Sequence, residues 1–111
     1  KTGILIFKDI DQLDCTGPFE VLSRVPNMTI DFIGHTKEPI RDMKGLQLQP
    51  SVDYAEAQDI DILVIPGGYG QYELMSHEPT IQFLQKIHGR NPLCLGMFPM
   101  IESLVSHKFS Q

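Results

Sequence analysis

The chain opens on Gly3-Ile4-Leu5-Ile6-Phe7, an apolar run with no polar interruption. Such a run, rich in β-branched residues, predicts a strand buried on both faces, as in a parallel sheet. Lys8–Asp14 is polar and reads as the loop that follows. Gly17-Pro18-Phe19-Glu20 is expected to open a helix, because the missing N–H of Pro18 costs nothing at a first helical position. Phe19, Leu22 and Val25 then give an apolar stripe, and Pro26 ends it. Met28–Gly34 predicts a second strand. Glu38–Gln49 carries Lys44-Gly45 between two short extended pieces, which reads as a surface hairpin. Asp53–Asp59 is expected to be a short helix or loop. Asp61-Ile62-Leu63-Val64-Ile65-Pro66 is the clearest strand in the chain, broken sharply by Pro66-Gly67-Gly68-Tyr69-Gly70. Pro79–Arg90 places Ile81, Leu84 and Ile87 on one helical face. Leu93–Phe98 predicts another strand, and Pro99–Phe109 another helix.

Strands and helices alternate with short connections. This predicts an α/β fold: a doubly wound, mainly parallel sheet with helices on both faces. Ligands in such sheets bind beyond the carboxyl ends of the strands. Lys8–Glu20, Pro66–Tyr72 and Met97–Met100 fall there.

Composition narrows the function classes. The 111 residues suit one domain, 1–111. Nine Lys+Arg against fourteen Asp+Glu give a net charge of −5 with no basic run, which argues against a nucleic-acid partner. The longest apolar runs are too short to cross a bilayer, so no membrane partner is expected. No charged-then-apolar leader is visible, and two cysteines are too few for a disulfide scaffold. A cytoplasmic location is therefore expected. His35, His77, His88 and His107 are scattered without ligand spacing, so neither a metal site nor a cofactor is expected.

Few residues carry candidate chemistry. Gly67 and Gly68 end the strongest strand, where backbone N–H groups can approach a ligand closely; a tight turn needs the same residues. Glu20 would be the third helical residue if Gly17 caps the helix. It is then either an acid at the strand ends or an ordinary first-turn acid complementing the helix dipole. Cys94 lies inside an apolar strand, which suits an inert thiol. Cys15 precedes the expected helix start, where a thiol pKa can fall. Met97 and Met100 suit core packing.

Two motifs in register carry a resemblance. Gln12-Leu13-Asp14-Cys15-Thr16-Gly17-Pro18-Phe19-Glu20-Val21-Leu22 is followed by Asp61-Ile62-Leu63-Val64-Ile65-Pro66-Gly67-Gly68. Together they resemble the ThiJ/PfpI superfamily, with its class I glutamine amidotransferase-like, flavodoxin-like fold, and within it the isonitrile hydratase-like branch. The resemblance implies a cysteine on a strained strand-to-helix elbow, an acidic residue from the first helix beside it, and glycine N–H groups that stabilise developing negative charge. In isonitrile hydratases this set adds water to an isonitrile, giving an N-substituted formamide. By motif, Glu20 takes the acid position, and Gly67 and Gly68 take the donor position.

The elbow is where the chain departs from the pattern. Aligning the flanking helices puts Met97 or Phe98, neither a nucleophile, at the cysteine position, where they would line the substrate site. A shifted alignment makes Cys94 the nucleophile but leaves a preceding strand of about two residues, short of the usual ~5. Loss of the nucleophile is the preferred reading. The family's domains are nearly twice this length, so the resemblance implies a truncated fold, the N-terminal half of a longer domain. It also implies a small-molecule substrate or ligand and a homodimer. A non-catalytic binding or regulatory member, or a subunit completed by a partner chain, remains the alternative.

Overall fold

The computed structural model describes residues 1–90 and 92–96. Five parallel strands form the central sheet in the order β5-β2-β1-β6-β7. They are β1 (Thr2–Leu5), β2 (Ile30–Gly34), β5 (Val52–Asp53), β6 (Ile62–Ile65) and β7 (Leu93–Gly96). The short strands β3 (Ile40–Arg41) and β4 (Gln47–Leu48) make the expected hairpin, antiparallel, with Gly45 at φ +95°. The buried Asp42 closes its turn by accepting from Lys44 N and Leu46 N.

The core follows from the apolar runs. Ile4, Leu5, Leu63 and Ile65 are fully buried, each side chain contributing roughly 1.5–3 kcal/mol. The first run is buried through Phe7, although regular pairing stops at Leu5; Ile6 N still donates to Ile33 O at 2.8 Å.

Helix α1 (Leu13–Leu22) and helix α3 (Glu78–His88) cover opposite faces of the sheet. The register places Phe32, Ile4, Val64 and Leu95 in one row, and Phe19 of α1 packs on Phe32 with ring centroids 5.2 Å apart. Cys94, one residue out of that row and so on the other face, meets His88 of α3. Thr80, Phe83, Leu84 and Ile87 form the buried stripe of α3.

Three elements differ from the sequence expectation. Helix α1 starts four residues before Gly17 and contains Pro18 in its second turn. Cys15 N and Thr16 N both bond Gln12 O, and the fully buried Cys15 ties this first turn to the core. Burial of that turn outweighs the helical hydrogen bond that Pro18 forfeits. Val52–Asp53 adds an edge strand beside Ile33–Gly34, and the residues after it form a turn, the loop rather than the helix of the two expected forms. The Pro66–Gly70 break leads into a short helix, α2 (Gly70–Leu74). The Met97, Phe98 and Pro99–Phe109 expectations lie outside the described residues.

Candidate functional site

Strand β1 has β2 on one side and β6 on the other, so the strand order reverses between β1 and β6. A crevice for ligands opens beyond the carboxyl ends of strands at such a point. Here the loop after β1 and the loop after β6 clasp each other. Asp11 N donates to Gly67 O at 2.8 Å, and Gly67 N donates to Asp14 Oδ2 at 3.0 Å. Gly70 N donates to Asp9 O at 3.1 Å, and the buried Gln71 side chain donates to Pro66 O at 2.6 Å.

The glycines are required by this closeness. Gly68 has φ +123°, and a Cβ there would lie 2.5 Å from Asp11 N. A Cβ on Gly70 would lie 1.9 Å from Lys8 O. Gly67 and Gly68 therefore sit where the sequence places them, at the end of β6. The Gly67 N–H is already engaged by Asp14, whereas the Gly68 N–H bonds no other described residue.

The carboxylate at this end of the sheet is Asp14. It is the first-turn acid of α1, where the helix dipole favours negative charge. Glu20 lies in the second half of the same helix. Its side chain is 67 % exposed and pairs with Arg24 at 2.7 Å across one turn. Moving the helix start from Gly17 to Leu13 accounts for the exchange: the earlier start puts Asp14 in the first turn and carries Glu20 out of it. The signal was in the quoted motif, which holds two acids six residues apart.

Neither thiol of the chain is set up as a thiolate. Cys15, fully buried next to Asp14, is pushed up to about 11, first by burial and then by the negative charge of Asp14. Cys94 is half-buried, and burial raises it too. Its Sγ lies 4.0 Å from His88 Nδ1 and 3.9 Å from Pro92 O. Cys94 stands opposite Leu63, four residues before Gly67, which at ~3.3 Å per residue puts it about 13 Å short of the clasp. The structure thus brings Asp14, Gly67 and Gly68 together and leaves Glu20 and Cys94 apart from them. Met97 and Phe98, which follow Gly96 at the carboxyl end of β7, lie outside the described residues. Among the described residues, no three His, Cys, Asp or Glu side chains converge as metal ligands, and no helix is long and apolar enough to cross a membrane.

The DJ-1/PfpI family model matches residues 1–96. The chain belongs to the DJ-1/PfpI family. An isonitrile hydratase from Pseudomonas putida is 34% identical over 85 residues, which are 77% of this chain and 37% of that protein. A ThiJ/PfpI family protein from Pseudomonas syringae superposes with a TM-score of 0.82 at 20% identity, covering 86% of this chain and 40% of that one. Drosophila melanogaster DJ-1beta superposes with a TM-score of 0.80 at 18% identity, covering 97% of this chain and 60% of that one. This DJ-1/PfpI chain therefore spans 37–60% of the length of these relatives. Its matched region includes β1, β6 and the clasp between their loops.

Proposed function

We propose that this DJ-1/PfpI chain carries the acid-and-amide part of an isonitrile hydratase-like site and, as it stands, binds a small neutral molecule there rather than turning it over. The observation that carries this reading is the Asp14 carboxylate held on Gly67 N at the β1/β6 switch point. The 34% identity to an isonitrile hydratase supports the choice of ligand class.

The chemistry follows from what the site contains. Adding water to an isonitrile carbon requires a nucleophile or a positioned base, and donors for the charge that develops. Asp14 can take or give a proton, and the backbone at Gly68 offers a donor beside it. A thiolate nucleophile is not supplied by Cys15 or Cys94, the only two cysteines of the chain. General acid–base help alone is typically worth about 10²–10⁴ in rate.

Association belongs to the same proposal. Among the described residues β7 is an edge strand, and it presents Leu93 and Leu95 at 59% and 45% exposure. A second copy, or a second polypeptide, covering them would also close the open edge of the parallel sheet. Light scattering should give a mass above the 12.5 kDa of one chain; a clean monomer at micromolar concentration refutes this part.

The deciding assay measures formamide release from a simple isonitrile, with binding of the same isonitrile followed by NMR. Binding without turnover, lost in Asp14→Asn, is the expected result. Robust turnover that vanishes in Cys94→Ser would overturn the reading and make Cys94 the nucleophile.

A further inference from the structure

A second concavity lies beside the loop clasp; Lys8 and Gly70 line it, but Asp14, Gly67 and Gly68 do not. It is a cleft of about 260 Å³ between the ends of β1 and β2, the turn after β5, and helix α2. That is slightly below the roughly 300–1,000 Å³ typical of drug-sized sites.

Its walls are aromatic and ordered. Tyr54 stacks on Phe83 with centroids 4.4 Å apart and planes 8° from parallel, so the ring is fixed. His35 packs on Tyr54 at 5.4 Å and on the edge of His77 at 4.8 Å. Behind them, the fully buried Thr80 hydroxyl lies 2.8 Å from Tyr54 Oη and 2.7 Å from His77 Nδ1. This relay orients both rings and engages Nδ1 of His77. Burial raises the Tyr54 phenol, so it adds no negative charge near neutrality.

The charge at the rim is unbalanced. Glu38 and Glu73 line the cleft against a single Lys8, and none of the three forms an ion pair with another described residue. Aromatic faces with carboxylates at the mouth suit a cation with an apolar body, and the net charge of −5 raises its local concentration.

We infer that this cleft is a binding site for a small organic ammonium whose apolar body lies against Phe7 and Tyr54 and whose charge faces Glu38 and Glu73. The inference stands independently of the function proposed for Asp14. Asp14, Gly67 and Gly68 do not line the cleft, and Glu38 and Glu73 take no part in the clasp, so either can fail alone.

The test compares three probes of one shape by NMR titration: phenethylammonium, phenylacetate and neutral 2-phenylethanol. Phenethylammonium should bind best and shift the His35 and His77 resonances. Glu38→Gln and Glu73→Gln should each weaken it about two- to fivefold, the worth of an exposed ion pair. Glu20→Gln, which removes the same charge elsewhere, should leave it unchanged. Both test positions are exposed, so the variants should keep the parent's spectrum apart from local shifts. Phenylacetate or 2-phenylethanol binding as well as the amine would overturn the proposal. So would no binding at all, equal weakening by Glu20→Gln, or loss in Asp14→Asn.

Discussion

Asp14 and Gly67 stand 53 positions apart in the chain, and the Asp14 carboxylate accepts the Gly67 N–H at 3.0 Å. The bond joins the first turn of α1 to the loop after β6, on either side of the point where strand order reverses. Asp14→Ala leaves a partly buried amide without its partner, which costs about 1–3 kcal/mol. Asp14→Asn keeps an acceptor and should cost less. Urea unfolding of the two variants checks this order. Equal stability of Asp14→Ala and the parent would show that the bond holds nothing together.

Glu20 and Cys94 should be quiet by comparison. Glu20→Gln removes an exposed ion pair with Arg24 and should change stability by no more than about 0.5 kcal/mol. Cys94→Ser replaces a thiol whose nearest polar partners are 3.9 and 4.0 Å away. It should change stability only slightly and leave isonitrile binding at the parent level.

Glycine replacements should split by position. Gly70→Ala drives a Cβ to 1.9 Å from the Lys8 carbonyl. Backbone cannot yield cheaply there, so the loss should reach at least about 3 kcal/mol. Gly17→Ala places its methyl in open space within α1 and should stabilise by roughly 0.5–1 kcal/mol. Opposite shifts in the thermal midpoint are the readout, and a neutral Gly70→Ala would contradict the close loop crossing.

Stability should fall as the solution is made alkaline. Cys15 is raised from 9.0 in the unfolded chain to about 11 in the fold, so the folded state holds its proton more tightly. The stability this contributes is complete below pH 9 and is lost as pH rises toward 11. Tyr54, also raised by burial, acts in the same direction. Cys15→Ala should flatten part of the loss in a series of urea titrations from pH 8 to 11. The same burial should leave Cys15 unmodified by iodoacetamide at pH 8 until the protein unfolds.

The run from Gly3 to Phe7, the strand Ile62–Ile65 and the turn at Lys44-Gly45 could be read from the chain alone, and the structure places each where its pattern predicts. Apolar periodicity and glycine placement are local properties, and a buried strand or a tight turn expresses them directly. The parallel sheet followed from their alternation, and the two motifs around Asp14 and Gly67 marked the family. The start of α1 was decided elsewhere. Gly17-Pro18 is locally the better helix opening, yet burial of Cys15 and the Asp14–Gly67 bond start the helix at Leu13. That shift put Asp14, and not Glu20, beside Gly67. The cleft of His35, Tyr54 and His77 was equally hidden, because its walls come from four separate segments that only the packing of α2 and α3 against the sheet brings together. Local pattern thus determined the elements and their class. Which polar groups meet depended on long-range burial, because a contact across 53 residues leaves no trace in the spacing of either segment.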